Sequence, residues 1–237
     1  MRLILDYGTT RLAFDVIYKD RKNMEISIEP PHKIIVIAPT GTTEEVILKK
    51  VRQKAKWLIG KLFTFKNMQT QKIMREFVSG ESFMYLGRNY AMQIIVDQTI
   101  KQPEVKLFRG KFVVTASSKA EAPIKGAMEA WYREKTKEQI EERIKYYQPY
   151  LDKVPTAIKV KEQKKRWGSC TSKNELLFNW RCAMAKAHAL DYIIVHEMCH
   201  LYYKDHSKAF WELLASIMPD YEVRKEWLKN NGINMDL

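Results

Sequence analysis

Hydrophobic and polar residues alternate along the first forty positions of the chain, a pattern typical of β-strands. The alternating runs are RLAFDVIY from Arg11, MEISIEP from Met24 and KIIVIAP from Lys33, and prolines separate or end them. From Thr43 the apolar positions recur at helical spacing through EEVILKKVRQKAKWLIGKLF. The chain is therefore predicted to begin with a small sheet that one helix covers.

Two further pairs of strands are predicted, SFMYLGRNYAMQIIV with a turn near Gly87 and EVKLFRGKFVVTA with a turn near Gly110. The composition then becomes small and polar, and a long helical pattern runs to a stop near Pro149. These features predict a strand-rich region with one covering helix at residues 1–118 and a second domain at residues 119–237. The sequence shows no internal repeat.

The last third of the chain begins with a predicted strand, AIKVKEQ, a turn-like segment, RWGSCTSKNE, and a second strand, LLFNWRCAM. A helix containing DYIIVHEMCHL follows, and two shorter helical patterns, SKAFWELLASIM and DYEVRKEWLKNN, close the chain. The predicted fold class is α+β.

Three of the five histidines lie in the run HEMCHLYYKDH. In a helix, His196 and His200 lie one turn apart on one stripe, with Glu197 on its flank. The helix is otherwise apolar nearly all round and should be buried. Hydrogen-bonded core histidines are one explanation, but two imidazoles at this spacing can converge on one zinc ion, and HExxH rarely arises by chance with so few histidines.

A catalytic zinc ion needs a third protein ligand and an open position for water. We expect His206 to be that ligand, ahead of Asp205 and Glu212. Six residues of continuous helix turn the chain by about 600°, which would aim His206 away from the metal. The helix must therefore end between Leu201 and Asp205, and Ser207 should begin the next helix.

Two more side chains are candidates for chemistry. Glu197 is the predicted general base, which would take a proton from the zinc-bound water and pass it to the leaving group. Arg166, in RWGSC, could bind a substrate phosphate or carboxylate or stabilise an oxyanion. The alternative for this segment is structural, with Trp167 filling the sheet and Gly168 forming a turn.

The 41 basic and 28 acidic residues give a net charge of +13, which favours anionic partners such as nucleic acid, nucleotides or acidic peptides. The basic residues are spread along the chain, so a solvated surface explains them equally well. Three cysteines are too few for a disulfide framework, and no apolar run is long enough for a membrane span. A cytoplasmic protein is expected.

The motifs RWGSC, NW, DYIIVHEMCHL, DHSKAFW and PDY resemble those of the YgjP-like metallopeptidase family, and HEMCH matches the zincin signature. The resemblance implies a zincin-like core with a backing helix, a small sheet and the active-site helix. It also implies that His196, His200 and His206 hold zinc and that Glu197 is the general acid/base. Metzincins share the histidine spacing but have glycine where this chain has Tyr203.

The leading hypothesis is a zinc-dependent, metallopeptidase-like hydrolase with one catalytic Zn²⁺ ion, whose extended peptide substrate pairs with the edge of the sheet. A nucleoside triphosphate pyrophosphatase using the same metal site is the second hypothesis, which the basic charge and Arg166 fit equally well. A third is a nucleic-acid-binding module with a structural zinc ion. The sequence separates neither peptide from nucleotide substrates nor one oligomeric state from another.

Overall fold

The computed structural model describes residues 1–29, 33–67, 75–163 and 165–237. Contacts within the chain divide it into two compact units, Met1–Lys72 and Ile73–Leu237. Each unit has a hydrophobic core of its own. The metal-binding motif lies wholly in the second unit.

The first unit combines a four-stranded sheet with one helix. Its strands stand in the order β1-β2-β4-β3, with β2 and β4 parallel in the centre and antiparallel strands at both edges. Alternate residues of β2 and residues three or four apart on the helix are buried together in one core. The elements are β1 (Arg2–Tyr7), β2 (Thr10–Lys19), β3 (Glu25–Glu29), β4 (Lys33–Pro39) and α1 (Glu44–Asn67).

The second unit begins with another four-stranded sheet, in the order β5-β6-β8-β7, followed by a long helix. This sheet has the same strand order and the same strand directions as the first one. The fold therefore contains a repeat that the sequence does not reveal, because alternation and turns specify such a sheet without fixing particular residues. The elements are β5 (Ser82–Tyr85), β6 (Arg88–Val96), β7 (Glu104–Phe108), β8 (Lys111–Ala116) and α2 (Glu121–Tyr147).

Two-residue turns close both hairpins of this sheet. Leu86 and Gly87 have φ values of 46° and 76°, and Arg109 and Gly110 have φ values of 47° and 75°, as type I′ turns require. The backbone N–H groups of Leu86 and Gly87 also donate to carbonyl oxygens of the 3₁₀ helix Trp180–Met184, at 2.8 and 3.1 Å. The hairpin of β5 and β6 is thereby hydrogen-bonded to the segment that precedes the helix Ala187–Cys199.

A three-stranded sheet and three helices complete the second unit. The sheet has the order β10-β11-β9, so β10 is an edge strand. The elements are β9 (Ala157–Lys161), β10 (Gly168–Cys170), β11 (Glu175–Asn179), α3 (Ala187–Cys199), α4 (Lys208–Ile217) and α5 (Tyr221–Asn231). Helix α3 contacts α2, α4, α5 and β10 and is the central element of the unit.

The observed architecture confirms the α+β class with a strand-rich amino-terminal part and small sheets. The first compact unit ends at Lys72, earlier than the predicted boundary at residue 118, because β7 and β8 pack against α2 in the second unit. Phe112 of β8 and Tyr132 of α2, for example, are fully buried in one core with ring centroids 5.9 Å apart. Within the described ranges, no helix combines the length and apolar character needed to cross a bilayer.

Candidate metal centre

Helix α3 presents the HExxH motif from within the core. Its surroundings are apolar on nearly every side, and ten of its thirteen residues are buried. An ion-pair network fixes its amino-terminal half: the carboxylate of Asp191 accepts two hydrogen bonds from Arg143 of α2, at 2.6 and 2.8 Å, and one from Tyr147, at 3.0 Å. The helix is thus held against its backing helix by both apolar and charged contacts.

The chain leaves α3 through a tight series of turns. The helix ends at Cys199, with His200 as its C-cap, somewhat earlier than the predicted stop between Leu201 and Asp205. Backbone N–H groups of Tyr202 and Tyr203 donate back to the carbonyl of Cys199, at 3.0 and 3.1 Å. Tyr203 is not among the described residues with positive φ, so this exit does not need the glycine found in metzincins.

This exit brings the third histidine to the other two. One ring nitrogen from each of His196, His200 and His206 lies within 4.8 Å of the others, so the three imidazoles could hold a metal ion. The Nε2 atoms of His196 and His206 are 3.0 Å apart. Nδ1 of His200 is 2.8 Å from the carbonyl oxygen of Tyr203, which orients that ring and leaves Nε2 available as a ligand.

The electrostatic surroundings favour neutral imidazoles. Burial, together with the neighbouring His200 and His206, lowers the pKa of His196 to about 3, and burial also lowers the pKa of His206. A neutral ring has a free lone pair, so metal binding at neutral pH does not have to displace a proton from His196. Three converging imidazole nitrogens fit a zinc ion well.

Aromatic rings surround the trio. Phe210 of α4 is fully buried, and its ring centroid lies 4.9, 4.6 and 4.8 Å from those of the three histidines. Trp211 stacks on His206 at 5.5 Å. Ser207 is the N-cap of α4, as predicted, so His206 lies just outside that helix. Neither Asp205 nor Glu212 belongs to the histidine group.

Glu197 points its carboxylate into the same region. The residue is only 5% exposed, and Oε2 has no hydrogen-bond partner among the described residues. Burial raises the pKa of Glu197 to about 8, and the charge of Arg166 opposes this rise. A buried carboxylate oxygen without a hydrogen-bond partner costs stability, so its presence beside three rings that could hold a metal ion points to a chemical role.

The segment RWGSC differs from the predicted turn, because residues Gly168–Cys170 form strand β10, paired antiparallel with β11. Gly168 lies so close to Glu197 that an added Cβ would be 2.6 Å from Glu197 Cγ and 2.7 Å from Oε1. The glycine therefore allows the strand to pack directly on the catalytic candidate, rather than forming a turn. The short pairing with β11 sets this conformation, and three small residues give little local signal for it.

The rest of RWGSC connects the strand to the core. Trp167 is partly buried against the core, and its ring occupies the space next to Gly232. The side chain of Asn179 donates to the carbonyl oxygens of Gln163 and Arg166, at 2.7 and 3.3 Å. Asn179 therefore holds the approach to β10, whereas the Arg166 side chain is exposed and faces the cavity.

An open cavity of about 700 Å³ contains the histidines and Glu197. Strand β10 and its flanks supply part of the lining, and α3 and α5 supply much of the rest. Tyr192 also lines the cavity, with its hydroxyl 3.5 Å from Nδ1 of His196, and burial raises its pKa to about 12. The phenol therefore stays protonated at neutral pH and can donate a hydrogen bond.

A sequence model described as "YgjP-like, metallopeptidase domain" matches residues 22–231. The chain belongs to the YgjP-like family. No curated protein matches it significantly. Membership confirms the expected family and supports a metal-dependent hydrolase, and the YgjP-like chain brings together the three histidines that its motif predicts as ligands.

Sequence reasoning missed part of the YgjP-like site. It assigned Gly168 to a turn, and it gave no role to Lys204, Lys225 and Lys229, which line the cavity. The pattern D-H-S after the histidine helix could indicate that His206 lies just before the next helix. No sequence signal indicates that lysines of α5 face the cavity. Their placement depends on the packing of α5 against α3.

Proposed function

We propose that this protein is a zinc-dependent hydrolase of the metallopeptidase type, with His196, His200 and His206 as metal ligands and Glu197 as the general base. The observation that carries the proposal is the convergence of three imidazole nitrogens within 4.8 Å beside a buried carboxylate oxygen that has no partner among the described residues. Family membership supports the same reaction class.

The donor set supports a catalytic rather than a structural metal. Structural zinc sites are closed by four protein ligands, whereas catalytic sites have three and keep one position open. In the described part of the chain, no cysteine or carboxylate joins the three histidines. Cys199 is buried in the core on α3. These features favour a hydrolase over a binding module with structural zinc.

When bound, a zinc ion would supply a Lewis acid that makes a water molecule more acidic and polarises the substrate carbonyl. The Glu197 carboxylate would accept the proton of that water and deliver it to the leaving nitrogen. Burial raises the pKa of Glu197, which makes its ionised carboxylate a stronger proton acceptor, and the charge of a bound zinc ion would favour that ionised form. Gly168 keeps the carboxylate in place by leaving room for it.

Peptides are the substrates that the fold supports best. Strand β10 is the edge of its sheet and lines the cavity beside Glu197, so its free backbone groups can pair with an extended chain. Tyr192 and Arg166 also line the cavity and are candidates to stabilise negative charge that develops on the substrate carbonyl oxygen. Hydrolysis of nucleoside triphosphates at the same metal site is the second candidate, which the basic lining of the cavity favours.

The test compares wild type with Glu197→Gln, which preserves the shape of the side chain and removes its basicity. Both proteins are loaded with zinc, bound metal is quantified, and turnover of an unstructured protein and of nucleoside triphosphates is measured. We expect Glu197→Gln to retain zinc and to lose about 100- to 10,000-fold in kcat/KM on the protein substrate.

The matched control is Glu212→Gln, the same chemical change on an exposed residue of the neighbouring helix, which does not line the cavity. It should behave as wild type. Equal activity of Glu197→Gln and wild type would show that Glu197 is not the general base. If wild type hydrolyses only nucleoside triphosphates and Glu197→Gln loses that activity, the same residues catalyse the second candidate reaction.

A further inference from the structure

The cavity that contains the histidines is strongly basic. Four cationic side chains line it, whereas Glu197 is the one carboxylate among the described lining residues; the cations are Arg166, Lys204, Lys225 and Lys229. A concave surface lined by charges of one sign concentrates the field and attracts ligands of the opposite sign. The spread of basic residues along the sequence does not predict this clustering.

Two of these cations lie at opposite ends of the edge strand. Arg166 precedes β10 by two residues. Lys204 is held at the other end of the strand, where Nζ donates to Sγ of Cys170, the carbonyl oxygen of Thr171 and Oδ1 of Asn174, so it would act on a ligand through its charge. A strand of three residues spans about 10 Å. These two cationic residues therefore flank the strand, one at each end.

The other two cations belong to α5, where Lys225 and Lys229 are four residues apart and share a helix face. Nζ of Lys225 lies 4.4 Å from the ring centroid of Trp211, whose ring stacks on His206. Lys225 is therefore close to the proposed metal ligands. Lys229 forms an ion pair with Glu226 at 3.0 Å at the margin of the same cavity.

We propose that the substrate is an acidic peptide, with carboxylate side chains on both sides of the scissile bond. Residues of the peptide along β10 would place their carboxylates near Arg166 and Lys204, while Lys225 would bind an acidic side chain beside the metal. This inference rests on the proposed function and adds the substrate class to it. The edge strand β10 favours an extended peptide over a triphosphate, because its backbone can pair with a peptide chain.

The experiment uses fluorescently labelled decapeptides of one sequence that carry glutamate, glutamine or lysine at two positions on each side of the central bond. Binding is measured with zinc-loaded Glu197→Gln, in which turnover is suppressed, and kcat/KM is measured with the wild-type catalytic residue in place. Each is repeated with Lys225→Gln, Lys204→Gln and, as a control, Lys137→Gln. Lys137 is an exposed lysine of α2 that does not line the cavity.

We expect the glutamate peptide to bind more tightly than the glutamine peptide. Each cavity lysine replaced should reduce this preference by about fivefold, and Lys137→Gln should leave it unchanged. The preference should also weaken as salt concentration rises. Lys225→Glu should favour the lysine peptide, a reversal that a folding defect would not produce.

Equal affinity for the three peptides, or a preference that survives Lys204→Gln and Lys225→Gln, would overturn the inference. Inorganic tripolyphosphate is the competing probe. If it displaces no peptide while glutamate peptides compete with one another, the peptide class is supported; if it binds more tightly than the glutamate peptide, that class is wrong. Selective binding without hydrolysis of any peptide would contradict the proposed function while leaving the charge preference intact.

Discussion

Replacing Gly168 with alanine perturbs the site through a single methyl group. The added Cβ would lie 2.6, 2.7 and 2.8 Å from Cγ, Oε1 and Cδ of Glu197, and these are its three nearest atoms. Carbon atoms in good contact are about 3.5 to 4.0 Å apart, so the Glu197 side chain or β10 must move by about 1 Å. These three atoms all belong to Glu197, so the methyl group acts first on the catalytic candidate rather than on the histidines.

The expected effect is selective for catalysis. A displacement of about 1 Å in a catalytic group can reduce the rate by about 100-fold, and overpacking in a core costs about 1–3 kcal/mol of unfolding free energy. We therefore expect Gly168→Ala to lose about 100-fold in kcat/KM on an unstructured protein substrate while its zinc affinity stays close to that of wild type.

The assay measures kcat/KM, zinc affinity by competition with a chromophoric chelator, and thermal unfolding for the same preparation. Gly126→Ala is the matched control, because that glycine lies in α2 and an added Cβ meets no atom within 4 Å. Alanine there should stabilise the helix by about 1 kcal/mol and leave activity unchanged. A folded Gly168→Ala protein with wild-type kcat/KM would refute the reasoning, since the carboxylate position would then not matter.

Two further predictions concern stability. Zinc at about 100 times its Kd should stabilise the protein by about 2.7 kcal/mol and raise its melting temperature by roughly 5–10 °C in a thermal scan, and a chelator should reverse the rise. His206→Ala should lose most of this rise in melting temperature; a rise equal to that of wild type would exclude His206 as a ligand. Asp191→Ala should destabilise the protein by about 3 kcal/mol in urea unfolding, because it leaves the Arg143 guanidinium without its carboxylate; Glu141→Ala, which removes only a loose 3.9 Å surface pair, should change stability by less than about 0.5 kcal/mol.

Hydrophobic periodicity and the spacing of polar residues were enough to predict most of the strands and the position of the HExxH motif on a helix. Alternation located most strands of both four-stranded sheets, and the HExxH spacing was enough to place two histidines and a carboxylate along one helix and its C-cap. The need to turn His206 back toward them even required the helix to end, and it does end within two residues of the expected range. These inferences succeeded because helix geometry fixes the relative directions of residues a few positions apart.

Contacts between distant segments could not be predicted in the same way. Strand β10 is only three residues long, and its conformation depends on pairing with β11 and on packing against α3. The boundary near residue 118 followed a change in composition, whereas compactness depends on which sheet packs on α2. Neither property is encoded in a local pattern, because both arise from contacts between residues far apart in sequence.

The same distinction applies within the site. The proposed metal ligands come from one short segment of eleven residues, 196–206, so they are visible in the sequence. Other residues that line the cavity come from β10, from the turn after α3 and from α5, which only the fold brings together. If the charge preference proposed for the cavity is correct, substrate choice in this protein can change through α5 and the turn without replacement of a proposed metal ligand, because Lys204, Lys225 and Lys229 lie outside the histidine group.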